Sequence, residues 1–201
     1  MTGTPSIFNN LIGRSLLAAA IATALVATSI AIDLPGRGAA QVDPMAAHVQ
    51  VSRESDFVIA MIPHHQEAVD VARVVLERGE RVEVLALAEA IIATQADEIA
   101  ELEAWRAAWY PTATAPAYVP MMQSLDGLEP DMVDRTFASD MIHHHAMAIG
   151  MAEAVLALDG VRPEVADLAR DVIRVQTEEI GTLRGWIAAW GSAPHPTGGD
   201  H

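Results

Sequence analysis

The sequence predicts an all-α protein: a four-helix bundle built from a duplicated helical hairpin, preceded by an N-terminal hydrophobic export or anchor helix. Three observations carry this. The chain repeats itself, its apolar residues recur at three- and four-residue steps, and Ala, Leu, Glu and Arg dominate while strand-like alternation is absent. Phe57, Met61, Ile62, His64, His65, Ala68, Ala72, Val75 and Leu76 return eighty residues later as Phe137, Met141, Ile142, His144, His145, Ala148, Ala152, Val155 and Leu156. A second block follows each copy: Gln95, Glu98, Ile99, Leu102, Trp105 and Trp109 match Gln176, Glu179, Ile180, Leu183, Trp186 and Trp190. The offset there is eighty-one, so one connecting loop is a residue longer. Two copies are too few for a solenoid and suit two hairpins.

In chain order, residues 1–40 read as a signal peptide or membrane anchor with its linker. Residues 15–32 are free of charge and of Pro, follow Arg14, and end before a Pro/Gly break at 34–38. Ser29-Ile30-Ala31 and Gly38-Ala39-Ala40 offer small residues for cleavage. Cleaved or not, this segment places the rest of the chain outside the cytoplasm, secreted, periplasmic or anchored facing outward, with the membrane a partner if it is retained. The four-helix domain spans 54–191, with repeat one at 54–110, a Pro/Thr/Ala-rich crossover at 111–130 and repeat two at 131–191. Gly79 divides the first pair of helices, and Asp159-Gly160 divides the second, with Pro163 placed to open the last helix. Tyr110-Pro111 and the stretch from Gly191 to Pro194 stop the second and fourth helices. Residues 192–201 read as a disordered tail.

Composition narrows the chemistry. With 201 residues, 51% of them hydrophobic, the chain buries a real core. The absence of Cys removes disulfides, thiolate metal sites and thiol catalysis. A net charge of −15, with only 12 basic residues, all Arg, argues against nucleic acid as a partner. The surplus lies in eight His and nine Met.

At about 100° per residue, His64 and His65 flank the stripe formed by Met61, Ala68, Ala72 and Val75, so both belong to the inward face or its shoulders. His144 and His145 repeat this beside Met141, with Met147 and Met151 on the His144 edge. The matching edge of the first helix carries His64, Glu67 and Val71. Gln95 and Gln176 fall on the buried stripes of the second and fourth helices, where a polar group needs a partner. Glu98 and Glu179 stand about 60° away, readable as ligands, as orienting partners of a His or as surface carboxylates. Imidazole and thioether donors without thiolate suit copper, with Met favouring the reduced ion, while imidazole with carboxylate also suits zinc, iron or another divalent metal. The candidate metal donors are therefore His64, His65, His144, His145, Met61, Met141, Met147 and Met151, with Gln95, Glu98, Gln176 and Glu179 as further ligands or supports. His143 faces solvent. The four Trp read as core and helix-end packing, and Met45, His48, Met121, Met122 and Met132 as weaker additions to a metal-collecting surface.

These residues resemble the domain of unknown function 305 family, DUF305. Met61-Ile62-Pro63-His64-His65 and the run from Met141 to Ala152 match its repeated Met-Ile-x-His-His-x-x-Ala-x-x-Met-Ala motif. Gln95 to Ile99 and Gln176 to Ile180 match its Gln-x-x-Glu-Ile pattern. The resemblance covers roughly residues 54–191. It implies a ferritin-like bundle and, for some members, export and copper binding in copper resistance. This chain departs from the motif at Val71, Leu102 and Leu183, where Met is usual, so stronger metal binding is expected of the second copy. The expected function is an exported metal-binding protein of copper homeostasis, with the metal ion as its partner. Two other readings stand beside it: a cell-envelope structural or interaction module, and a ferritin-like metal-dependent oxidase. The last lacks the Glu-x-x-His of dinuclear sites, since Met and Ile occupy the positions three residues before each paired His.

Overall fold

The computed structural model describes residues 50–115 and 118–192. The hydrophobic segment at 15–32, Met45, His48 and the tail with His195 and His201 lie outside the described residues.

Four helices form two hairpins: α1 (Glu54–Arg78), α2 (Val82–Trp109), α3 (Pro130–Leu156) and α4 (Pro163–Ser192). Asp56 opens α1 by accepting hydrogen bonds from the backbone N–H groups of Ser52 (3.1 Å) and Arg53 (3.0 Å), and its charge complements the helix dipole. Pro130 and Pro163 each take the first position of their helix, where the missing N–H costs nothing. Pro63 is different. It lies within α1 and cannot donate to the carbonyl one turn back. Among the described residues, no helix is long and apolar enough to cross a membrane.

Within each hairpin the helices pack along one another. α1 also lies on α3, whereas α2 and α4 approach each other far less closely. The core separates into two apolar clusters. One joins Phe57 and Met61 at the start of α1 to Leu102, to Ala148, Met151 and Val155 late in α3, and to Leu168 and Val172 early in α4. The other joins Ala68, Ala72 and Val75 to Ile91, to Phe137 and Met141 early in α3, and to Leu183. The start of α1 therefore lies beside the end of α3, and the two repeats face each other about an approximate two-fold. Between the clusters in sequence, on all four helices, come the buried polar residues His64, His65, Gln95, His144, His145 and Gln176. The bundle has a polar waist between two apolar halves.

The ends of the hairpins are tied crosswise. Arg162, in the α3–α4 loop, donates its backbone N–H and its guanidinium to Glu54 of the other hairpin and lies 4.6 Å from the Trp109 ring centre. Arg81, in the α1–α2 loop, donates its backbone N–H to Asp134 of the other hairpin (2.9 Å), pairs with Asp131, and lies 4.6 Å from the Trp190 ring centre. Glu54 and Asp134, Arg81 and Arg162, and Trp109 and Trp190 occupy matching repeat positions. The four tryptophans expected to serve as packing are half-buried, and Trp109 and Trp190 also present ring faces to these cations. Gly79 reaches its place by being small. With an ordinary φ of −72°, an added Cβ there would stand 2.6 Å from Asp134 Oδ1.

Candidate metal centre

The centre is built by α1 and α3. Met61 and Met141 are fully buried, each in one apolar cluster, and Met151 is buried with Met61. One turn on from Met61 and Met141, His64, His65, His144 and His145 are at most 1% exposed. Met147 is half-buried, Met132 is exposed, and His143 faces solvent as its helical position predicts.

The two repeats meet at His64 and His144, whose ring centres are 3.7 Å apart with planes tilted by 34°. His65 and His145 diverge from them to either side, and each meets a carboxylate of its own hairpin. His65 Nε2 is 2.9 Å from Glu98 Oε2, and His145 Nε2 is 2.7 Å from Glu179 Oε2. These are close approaches without hydrogen-bond alignment. All eight ring nitrogens of the four His are buried and lack a hydrogen-bond partner of acceptable geometry. That is unusual, because buried polar atoms are nearly always paired.

The electrostatics follow from burial. Burial, and then the neighbouring His144, His65 and His145, hold His64 well below its ordinary value. Burial also lowers His144, although the nearby Glu67 works against it. These two imidazoles are therefore neutral at neutral pH, the form whose nitrogen lone pairs bind metal. Those lone pairs lie in the ring planes, so an ion between the His64 and His144 faces would meet neither. A shared ion requires one ring to turn or to bind along its edge. Among the described residues, no three His, Asp or Glu side chains converge in a metal-holding arrangement.

Helical periodicity places Glu67 on the His64 edge and says nothing more of it, yet it is the functional neighbour that sequence reasoning misses. Its Oε2 stands 3.4 Å from His144 Nε2, and it accepts from the Tyr118 hydroxyl and from the backbone N–H groups of Met121 (2.7 Å) and Met122 (2.9 Å). Burial raises its pKa, but the nearby His144 and the hydrogen bonds from Tyr118 and the two amides outweigh burial and hold it at about 2. Glu67 thereby docks the crossover, including Met121 and Met122, beside the imidazoles. Its spacing of three from His64 is the available signal. The second repeat has Met147 in its place.

Gln95 and Gln176 are each 3% exposed, and each leaves its Oε1 unpaired. With Glu98 and Glu179 they line a small cavity between α2 and α4.

Known proteins share this architecture. The model of the family described as "Domain of unknown function (DUF305)" matches twice, at residues 54–133 and 134–201, and the chain belongs to that family. The solved structure of CopM in its Cu(I)-bound form is 34% identical, with a TM-score of 0.62 over 70% of this chain and 99% of that one. CopM in its Cu(II)-bound form is also 34% identical, with a TM-score of 0.57 over 68% of this chain and 97% of that one. A DUF305 fragment from Deinococcus radiodurans is 30% identical, with a TM-score of 0.59 over 69% of this chain and 97% of that one. No curated protein matches the chain.

Proposed function

We propose that the protein is an exported, ferritin-like bundle that binds copper and serves copper homeostasis. The observation that carries this reading is the layer of four buried imidazoles whose eight ring nitrogens make no aligned hydrogen bond, three of them only standing against carboxylates. Leaving them so lowers stability, and a soft metal ion is the ligand their chemistry fits. Met61 and Met141 are buried one turn before the paired His, Met151 is buried further along α3, and Met147 is half-buried. His64, His65, His144 and His145 supply nitrogen, and the Met residues supply sulfur when the ion is Cu(I). Because His64 lies against His144, a turn of either ring would let donors of both repeats serve one centre. CopM, which has Cu(I)-, Cu(II)- and Ag-bound forms, supports the choice of metal. The apolar run at 15–32 supports export.

The test is titration of the purified protein with Cu(I) and Cu(II), repeated with all four His changed to Ala. Loss of stoichiometric binding in the variant is expected, and unchanged affinity would overturn the reading. Intact mass spectrometry of the protein recovered from its native envelope fraction checks export, through loss or retention of the first 31 to 40 residues.

A further inference from the structure

The cavity between α2 and α4 asks for a different ligand from the imidazole layer. Its wall is the repeat seen twice: Ile91, Gln95 and Glu98 from α2 and, at matching positions, Val172, Gln176 and Glu179 from α4. It exists because α1 and α3 occupy the bundle centre and keep α2 and α4 apart. Its volume is about 10 Å³, room for one water molecule or one bare ion.

The unpaired buried groups on the wall are acceptors, while the Gln amide nitrogens and the Thr94 hydroxyl beside them can donate. Gln95 and Gln176 are 97% buried, and each has an unpartnered carbonyl oxygen. Glu98 and Glu179 add two carboxylates, each with one oxygen against an imidazole of its own hairpin. A single water could donate to the two unpaired amide oxygens but would bring no charge to the two carboxylates. A divalent cation satisfies amide carbonyls and carboxylates together, and two carboxylates balance its charge. These donors are all oxygen, whereas the His64–His144 region offers nitrogen and sulfur.

We propose that this cavity is a second metal site, selective for a hard divalent cation such as Mn²⁺ and held by Gln95, Glu98, Gln176 and Glu179. It lies on the approximate two-fold that relates the repeats. The inference does not rest on the copper reading, because its donors are oxygen atoms of α2 and α4, although Glu98 and Glu179 also stand against His65 and His145.

The experiment uses Mn²⁺ alone as the probe, on the whole chain freed of metal with a chelator. Electron paramagnetic resonance counts bound against free ion, and thermal melting reads its effect. One Mn²⁺ per chain and a rise of about 5 °C at saturation are expected. The paired change Gln95→Leu with Gln176→Leu should abolish both. The isosteric pair Glu98→Gln with Glu179→Gln should abolish Mn²⁺ binding too, and it decides the matter if the first variant does not fold. Absence of Mn²⁺ binding in the parent protein, equal binding by the variants, or a crystal grown with Mn²⁺ that shows only water in the cavity would each overturn the proposal. Loss of Cu(I) binding alone would sink the copper reading and leave this one standing.

Discussion

His64 offers the sharpest test of why four imidazoles are buried without aligned hydrogen bonds. The perturbation is His64→Leu, a swap of nearly equal volume that a packed core tolerates well. His64 is 1% exposed, and both of its ring nitrogens are unpaired. Each unpaired buried polar atom costs about 1–3 kcal/mol, so removing two gains at least about 2 kcal/mol. The lost ring contact with His144, at 3.7 Å between centres, takes back about 1 kcal/mol. Because burial holds His64 well below its ordinary value, no charge is removed at neutral pH. The metal-free variant should therefore be more stable than the parent by at least about 1 kcal/mol, a rise in melting temperature of at least about 3 °C for a domain of this size. Calorimetry after exhaustive chelation measures this. Repeating it with saturating Cu(I) should reverse the order, since only the parent gains from binding. A metal-free variant that melts several degrees below the parent would refute the reasoning, for it would show that the imidazole contributes to the core as it stands.

Gly79→Ala should cost about 2 kcal/mol by urea denaturation, because its Cβ would meet Asp134 Oδ1 at 2.6 Å and the Val75 carbonyl at 2.9 Å. Leu102→Ala, at a fully buried position, should cost about 3 kcal/mol in the same assay. Burial raises the Glu54 carboxyl, but hydrogen bonds from Tyr110 and from the Arg162 backbone and guanidinium outweigh it and set the pKa below the usual 4.5. The stability this contributes is complete above pH 4.5 and is lost as pH falls through the folded value. Glu54→Gln should thus melt below the parent at pH 7, with the gap narrowing only below pH 4.5, as melts across a pH series will show. Tyr118→Phe removes one donor from Glu67 and leaves the two amide donors, so the crossover near Met121 should exchange its amide hydrogens faster and be cut sooner by protease.

Much of the bundle is legible because its signals are local. Proline fixes where α3 and α4 begin, and the three-and-four spacing of Met61, His64, Ala68 and Ala72 sets their face before any partner is known. What periodicity cannot supply is which faces meet. His64 and His65 stand almost equally close to the inward stripe, yet His64 crosses to the other repeat while His65 approaches Glu98 of its own hairpin. That difference depends on the direction in which α1 crosses α3, a tertiary quantity. Glu67 is hidden for a similar reason: its partners Tyr118, Met121 and Met122 arrive on a crossover with no helical period. The pairings of Arg81 with Trp190 and of Arg162 with Trp109 are within reach, since all four residues recur at matching positions, but the repeat does not say that each arginine reaches across to the opposite hairpin.

That reach has a consequence for how such a chain can be assembled. Each hairpin sends an arginine to the other, Arg162 to Glu54 and Trp109 and Arg81 to Asp134 and Trp190, where Arg135 also lies, so neither set of contacts is complete alone. Because the exchange is reciprocal, it does not depend on the peptide link between the halves. Two separate hairpins could close the same pair of contacts, and so could two identical ones. The fold in this respect is a dimer written as a single chain, and cutting the crossover should leave two pieces that recognise each other.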